Sequence, residues 1–226
     1  MGKIDQSGND YASLLGTVAK FINSKNIIEV GVSAGETTLE LCRLNPKAHI
    51  YGYDLWDTNG HWNQFNHKHS IESVNNNLKE DGVNNFTLTK INTINDRENF
   101  ENTLKKHLNG EKIDFCFIDG EHSYIGIKND FSVIYPYLSE NGVVAFHDTL
   151  MIDGCREFIF DLRTKFFDGT FDVIDFPFGM GGRKCGVSFI IKRSYPLSDR
   201  PIDQVCGSIS HPEEIEKKET EWYKEE

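Results

Sequence analysis

The segment 29–35, Glu-Val-Gly-Val-Ser-Ala-Gly, follows an apolar run and constrains the fold more than any other part of this chain. Glycine adopts backbone angles that other residues avoid, so Gly31 and Gly35 predict a tight turn whose backbone can approach a ligand closely. Ser33 and Glu36 have the spacing of a capping box, which predicts that a helix begins directly after the turn. The segment is therefore typical of a strand–turn–helix unit.

An acidic residue ends the next predicted strand. Asp54 follows the run 49–53, and 23 residues separate it from Gly31. In nucleotide-binding α/β folds, an acid about 20 residues past the glycine turn hydrogen-bonds a ribose hydroxyl. The turn and the acid together predict a nucleoside ligand.

The spacing of the glycines indicates which nucleoside fits. Dinucleotide sites use Gly-x-Gly-x-x-Gly, because a pyrophosphate rests on the N-terminus of the following helix. This chain has Glu-x-Gly-x-x-x-Gly instead, with Glu29 at a position where its charge would repel phosphate. A ligand with an amine and no phosphate fits better, and S-adenosylmethionine is such a ligand. An ordinary strand-to-helix turn without a ligand is the alternative.

Composition limits the classes of partner. The chain of 226 residues is long enough for a sizeable core, and no apolar stretch approaches the about 20 residues that span a bilayer. A net charge of −11 argues against nucleic acid and anionic membranes as partners. No Cys-x-x-Cys pair occurs, which disfavours structural zinc. The five scattered cysteines, which suit a reducing cytoplasm, are Cys42, Cys116, Cys155, Cys185 and Cys206. We expect a cytoplasmic protein with a small-molecule substrate.

Apolar periodicity predicts alternating helices and strands after a leading helix over 11–22. The predicted strands lie near 26–31, 48–53, 85–91, 113–118, 142–147, 170–175 and 186–192. The further predicted helices lie near 35–44, 69–80, 96–109, 123–138 and 152–166, and Pro136 is expected to kink the fourth of these. This alternation predicts an α/β fold with a doubly wound parallel sheet.

The chain divides into three predicted segments. Residues 1–24 form an N-terminal helical segment, 25–193 the ligand-binding domain, and 194–226 an acidic C-terminal extension. Seven glutamates follow His211, which is typical of a solvated helix or a frayed tail. A homodimer is the default expectation for the oligomeric state.

Further polar residues lie where two other predicted strands end. Asp119 and His122 follow the fourth strand, and His147 and Asp148 follow the fifth. In open α/β sheets, ligands bind beyond these carboxyl ends, so the two aspartates can converge on one cation such as Mg²⁺ if the strands are neighbours. Successive strand residues point to opposite faces, so we expect Asp148 rather than His147 to face the site. An imidazole ligand would shift the preference towards Mn²⁺ or Fe²⁺.

Each of these residues could also have a purely structural role, without catalysis or metal binding. Asp119 and Asp148 could cap the helices that follow them, and His122 could be an ordinary loop histidine. The polar and aromatic loop 56–65 is long enough to cover a pocket, but its side chains could equally pack only against one another.

These motifs, in this order, resemble those of class I S-adenosylmethionine-dependent methyltransferases. The resemblance is carried by the glycine turn, by Asp54, by 117–124 (Phe-Ile-Asp-Gly-Glu-His-Ser-Tyr) and by 142–149 (Gly-Val-Val-Ala-Phe-His-Asp-Thr). It covers about residues 10–192. The branch that the chain most resembles includes metal-dependent O-methyltransferases of small molecules and sugars, among them the macrolide-sugar type.

The resemblance implies a Rossmann-like, seven-stranded, mostly parallel sheet with an antiparallel last strand. It also implies that the turn receives the methionine part of the cofactor, that Asp54 holds the ribose and that the residues after the third strand lie near the adenine. The residues expected to contact the cofactor are Glu29, Gly31, Ser33, Gly35, Thr37, Asp54, Leu55, Asn92, Thr93 and Asp119.

The resemblance further implies a divalent cation on Asp119 and Asp148, with His122 as the base. His147 stands where several such enzymes have a second carboxylate, which leaves open whether a metal is required and which one.

The function that follows is S-adenosylmethionine-dependent methylation of a hydroxyl on a small molecule. Asp119 and His122 are the expected catalytic residues, and Asp119, Asp148 and His147 are the candidate ligands of Mg²⁺, with Mn²⁺ or Fe²⁺ as alternatives. A metal-independent N- or C-methyltransferase remains an alternative, as does a non-catalytic S-adenosylmethionine-binding partner protein. An oxidoreductase that uses a nicotinamide is disfavoured by Glu29 and the turn spacing.

Overall fold

The computed structural model describes residue 4 and the ranges 11–56, 69–177 and 185–194. Within them the chain forms seven strands, six α-helices and a single 3₁₀ turn at Tyr135–Tyr137. The strands are β1 (Asn26–Val30), β2 (His49–Asp54), β3 (Phe86–Lys90), β4 (Ile113–Ile118), β5 (Leu138–His147), β6 (Phe171–Phe176) and β7 (Val187–Lys192). The helices are α1 (Ala12–Phe21), α2 (Glu36–Leu44), α3 (Ile71–Glu80), α4 (Arg97–Leu108), α5 (Tyr124–Ile134) and α6 (Asp153–Thr164).

The seven strands form one sheet in the order β3-β2-β1-β4-β5-β7-β6. Strands β1 to β5 pair in parallel, whereas β7 is antiparallel to both β5 and β6. The prediction of a seven-stranded, mostly parallel sheet with an antiparallel last strand is confirmed. The strand order reverses between β1 and β4, and in such sheets this switch point is where ligands bind.

Helices cover both faces of the sheet. Ile27 and Phe115 point to one face, where they pack with residues of α1, α2 and α3. Their neighbours Ile28 and Cys116 point to the other face, where they pack with residues of α4, α5 and α6. Because β1 and β4 are buried on both faces, they read as almost continuous apolar runs in the sequence.

The turn after β1 is not closed by a capping box. The N-cap of α2 is Gly35, which has a left-handed backbone and no side chain to accept a hydrogen bond. Ser33 also has a positive φ, of 52°, and lies inside the turn rather than at the helix boundary. The prediction that Ser33 and Glu36 form the cap is therefore wrong, because the turn extends to Gly35.

The helix predicted over 123–138 is shorter than expected. Helix α5 ends at Ile134, and a 3₁₀ turn that contains Pro136 follows it. Leu138 begins β5 instead of ending the helix. Proline lacks the amide hydrogen that an α-helix needs, so the last predicted turn forms separately.

Within the described ranges, no helix has both the length and the apolar character needed to cross a membrane. The predictions that concern the covering loop after Trp56, Cys206 and the acidic extension fall on residues 57–68 and 195–226, outside the described residues. The division into three segments stays a prediction.

We expect Gly31→Ala to destabilise the fold more than Gly82→Ala. Both glycines have a φ of +88°, where a Cβ costs about 1–2 kcal/mol. At Gly31 that Cβ would also lie 2.0 Å from the carbonyl oxygen of Asp119, whereas at Gly82 it would meet nothing within 4 Å. Urea denaturation should give the larger loss of unfolding free energy for Gly31→Ala. Equal losses would show that the fold tolerates a wider gap between β1 and β4.

Candidate active site

The ends of β1 and β4 meet without a side chain between them. The amide of Asp119 donates to the carbonyl of Val30 at 2.7 Å, and the amide of Gly31 donates to the carbonyl of Tyr53 at 2.9 Å. These bonds continue the parallel ladders one residue beyond the strands. Gly31 therefore leaves the room in which the Asp119 backbone lies, and the carboxyl ends of β1, β2 and β4 form one edge.

Asp54 holds the glycine turn through backbone hydrogen bonds. Its Oδ2 accepts from the amides of Val32 and Ser33, both at 2.8 Å, and its Oδ1 accepts from the amide of Trp56 at 2.7 Å. The Trp56 indole donates to the carbonyl of Ser33 at 3.0 Å, so this side chain packs against the turn. Leu55, between them, is 42% exposed. Asp54 thus lies beside the turn, as expected of the ribose-binding acid.

Glu29 lies beneath the site rather than on its surface. Its side chain is fully buried, and Oε2 accepts a hydrogen bond from the hydroxyl of Thr38 at 2.5 Å. Burial raises the pKa of Glu29 to about 8, and the nearby charges of Asp119 and Asp54 add to the effect. Burial therefore favours the neutral form of Glu29, and the repulsion of phosphate by its charge stays a prediction.

The two residues expected near the adenine shape the loop after β3. The side-chain oxygen of Asn92 accepts from the amides of Ile94, at 3.1 Å, and Asn95, at 2.8 Å. The carbonyl of Thr93 accepts from the side chain of Asn129 at 2.8 Å. This loop lies at the same edge as the turn, because β3 runs parallel to β2. Direct contact of Asn92 and Thr93 with the cofactor stays a prediction.

Two aspartates and two histidines converge at the ends of β4 and β5. Asp119 Oδ1 lies 3.1 Å from His122 Nε2 and 3.2 Å from His147 Nδ1. Asp148 Oδ2 lies 3.6 Å from His122 Nδ1, and Asp148 Oδ1 lies 3.5 Å from His147 Nδ1. The four side chains predicted for metal binding and catalysis are therefore brought together in one cluster.

His147 and Asp148 both face this cluster. The expectation that Asp148 rather than His147 does so applies unless the strand has already ended; β5 does end at His147, so strand alternation no longer separates the two. Asp148 has a φ of +57°, a left-handed conformation that turns its side chain back towards the histidine. The capping alternative is excluded for both aspartates, since the N-caps of α5 and α6 are Ser123 and Ile152.

The charges of the four groups stabilise one another. Burial alone lowers the pKa of His147, but Asp119 and Asp148 outweigh it and leave the pKa raised to about 10. The pKa of His122 is also raised, since the hydrogen bond and charge of Asp119 outweigh its burial. The histidines in turn hold the pKa of Asp119 below its usual range despite burial. At neutral pH an imidazolium thus lies between two carboxylates.

Tyr11 is a part of the site that sequence reasoning missed. Its ring lies 4.3 Å from the His147 ring between centroids, and the side chain is 7% exposed. Burial and the charge of Asp119 raise the pKa of Tyr11, whose hydroxyl bonds with Thr37 on α2. Tyr11 therefore connects the histidine at the end of β5 with the helix that follows the glycine turn. No spacing rule links residues so distant in sequence.

The donor atoms in the cluster fit a divalent cation. Asp119, His122 and Asp148 each offer one ligand atom, and these atoms lie within 4.8 Å of one another. Among the described residues, the buried Asp148 Oδ1 and His147 Nε2 have no hydrogen-bond partner. Ligand atoms of a second group, His147, Asp148 and Cys185, also lie within 4.8 Å of one another. The prediction from sequence did not include Cys185.

The parallel sheet, the glycine turn at its switch point and the acid at the end of β2 define a class I S-adenosylmethionine-dependent methyltransferase. The chain belongs to the family described as Methyltransferase domain, whose model matches residues 28–149, more than half of the chain. The matched range includes Asp54, Asp119, His122 and Asp148.

Solved structures, among them two O-methyltransferases, share this fold. The O-methyltransferase TomG of Streptomyces achromogenes, in complex with S-adenosylmethionine and involved in tomaymycin synthesis, has a TM-score of 0.62 at 16% identity, over 80% of this chain and 79% of that one. The O-methyltransferase of Bacillus cereus, in complex with S-adenosylhomocysteine, has a TM-score of 0.64 at 12% identity, over 82% and 81%. Cofactor-bound Rv0187 from MTB has a TM-score of 0.65 at 15% identity, over 86% and 84%. No curated protein matches the chain in sequence.

We expect the free energy of unfolding to depend on pH through Glu29. Its pKa is about 8 when folded, against an ordinary value of 4.5. The stability that depends on its proton is therefore complete below about pH 4.5 and falls as the pH rises towards 8, by up to about 1.4 kcal/mol per pH unit. Glu29→Gln should remove this dependence. At high pH the variant should therefore have a larger free energy of unfolding than the wild type.

Urea denaturation between about pH 5 and pH 9 measures this effect. Glu157→Gln, which changes an exposed glutamate of α6, is the matched control and should keep the wild-type profile. A Glu29→Gln profile parallel to the wild type would show that Glu29 ionises normally in the folded protein.

Proposed function

We propose that this protein transfers a methyl group from S-adenosylmethionine to a hydroxyl of a small molecule, with a divalent cation held by Asp119 and Asp148. The observation that carries the proposal is the cluster of these aspartates with His122 and His147 next to the glycine turn. TomG and the Bacillus cereus protein share this fold and are O-methyltransferases, which supports oxygen as the acceptor.

His122 is the residue best placed to act as the base. Its side chain is 20% exposed, whereas that of His147 is 7% exposed and covered by Tyr11. A neutral hydroxyl is a poor nucleophile, so loss of its proton to a nearby base accelerates the attack. In this role His122 takes the hydroxyl proton.

The remaining residues position the two reactants. Asp54 and the glycine turn would hold the adenosyl part, so that the acceptor oxygen lies behind the sulfonium methyl group. The new O–C bond forms as the S–C bond breaks, and S-adenosylhomocysteine leaves. When bound, a divalent cation lowers the pKa of a coordinated hydroxyl. The oxygen donors of Asp119 and Asp148 suit Mg²⁺, and the imidazole of His147 would favour Mn²⁺ or Fe²⁺.

A second candidate function is metal-independent methylation of nitrogen or carbon. It is favoured by the raised pKa of His147, since an imidazolium already neutralises the aspartates beside it. His122 would then be the only base. Activity that persists after stringent removal of metal, together with an acceptor panel that includes amines, distinguishes the two candidates.

We expect Asp119→Ala to lower turnover by about 10²–10⁴-fold, the range for loss of acid–base assistance, because the change removes a cation ligand and the partner of His122. Binding of S-adenosylhomocysteine, measured by calorimetry, should change little. Asp153→Asn, which alters an aspartate with an 89% exposed side chain, is the control and should behave as the wild type. Full activity of Asp119→Ala in the presence of a chelator would contradict the role of the metal.

We expect Asp54→Ala to weaken cofactor binding by about 1.5–3 kcal/mol, the range for a hydrogen bond to a charged group. Asp54 also holds the turn, so calorimetry should compare S-adenosylhomocysteine with an analogue that lacks both ribose hydroxyls. If Asp54 bonds the ribose, the substitution should weaken the first ligand more than the second. Equal losses for both ligands would assign Asp54 to the turn alone.

A further inference from the structure

Cys185 is held beside Asp148 by backbone contacts. The amide of Leu150 donates to the carbonyl of Cys185 at 2.9 Å. The next residue, Gly186, has a φ of +80°, and a Cβ there would lie 2.5 Å from Cγ of Leu150. The antiparallel pairing of β5 with β7 sets His147 opposite Val187. The segment that enters β7 is therefore fixed against the segment that leaves β5.

Three different donor groups meet where these segments cross. One ligand atom each from His147, Asp148 and Cys185 lies within 4.8 Å of the others. The three residues are buried, at 6%, 6% and 5% exposure, and Cys185 is a free thiol. A cysteine by itself would be an ordinary core residue, but here it has two polar neighbours.

Within the described residues, the two polar neighbours have buried atoms without a hydrogen-bond partner. Nε2 of His147 is one such atom, and Oδ1 of Asp148 is the other, although it lies 3.5 Å from His147 Nδ1. Leaving such atoms buried and unsatisfied costs free energy, so in native proteins they usually bind water, a ligand or an ion. The donor set therefore points to an ion that can bind nitrogen, oxygen and sulfur together.

The chemistry of this set excludes Mg²⁺ as its preferred ion. Mg²⁺ takes oxygen ligands in octahedral geometry, and a thiolate is a poor ligand for it. Zn²⁺ and similar ions take thiolate, imidazole and carboxylate together. Three protein ligands with one position left open are also the arrangement of catalytic zinc sites.

We propose that His147, Asp148 and Cys185 bind a zinc-type transition-metal ion, with the Cys185 thiol and the His147 imidazolium each releasing a proton to solvent on binding. The inference rests on the proposed function for what the ion does, and it adds a second ion position beside the cation that the proposed function places on Asp119 and Asp148. Asp148 is shared with the group that contains Asp119 and His122, so this ion lies beside the proposed base.

Cobalt is the probe for this site, because a thiolate bound to Co²⁺ gives a strong near-ultraviolet charge-transfer band that oxygen and nitrogen ligands do not give. The full chain, freed of metal with a chelator under reducing conditions, is titrated with Co²⁺. We expect the band to saturate at one ion per chain, to disappear when Zn²⁺ is added in equal amount and to persist in a large excess of Mg²⁺. Absence of the band in the wild type would overturn the proposal.

Cys185→Ser should abolish the band and weaken Zn²⁺ binding by more than the about 10–100-fold that loss of an outer-shell partner costs. Cys155→Ser is the matched control. Cys155 is 1% exposed and its thiol donates to the carbonyl of His122 at 3.6 Å, yet it lies outside the ligand group. It should leave the cobalt spectrum unchanged. A band that survives in Cys185→Ser, or is lost only in Cys155→Ser, would overturn the assignment.

Asp119→Asn separates this inference from the proposed function. The variant keeps all three proposed ligands, so the cobalt band should remain although turnover is lost. A band that remains together with full activity would contradict the role of Asp119 and leave the metal assignment intact. Activity that requires Asp119 and Mg²⁺, in a protein without the band, would refute the metal assignment alone.

Discussion

The site depends on one close backbone contact, between Gly31 at the end of β1 and Asp119 at the end of β4. A Cβ at Gly31 would lie 2.0 Å from the Asp119 carbonyl oxygen. The glycine turn after β1 and the backbone at Asp119 can therefore adjoin only if position 31 has no side chain. In the proposed function the turn would hold the cofactor and Asp119 would lie near the acceptor, so this contact would bring both reactants into one pocket.

The cluster beyond this contact is balanced by its own histidines. His147 and His122 lie within 3.2 Å of the Asp119 carboxylate, which keeps the aspartate ionised despite its burial. Buried carboxylates are stable only when they are paired or coordinate metals. The negative charge of the two aspartates can be compensated in two ways, by a protonated histidine or by a bound metal cation. The proposed ion corresponds to the second of these, and its support is that His147 Nε2 and Asp148 Oδ1 have no hydrogen-bond partner among the described residues.

Much of the fold could be predicted from local patterns. Apolar runs located all seven strands, because β-strands buried on both faces need continuous apolar residues. Asp119 and Asp148 were placed correctly at one edge, since parallel strands end on the same side. Local rules failed where tertiary geometry overrides them. Ser33 lies inside a longer turn than a capping box allows, and His147 faces the site because its strand has already ended.

The sequence by itself determined the sheet, the glycine turn and the acids at the strand ends, because these depend on spacings of a few to about two dozen residues. Only the tertiary structure decided which distant side chains join them. Tyr11 covers His147 because α1 packs beside the start of α2, and Cys185 reaches Asp148 because β7 runs antiparallel to β5. Contacts between residues so far apart in the chain arise from packing and strand order, which no local pattern of residues encodes.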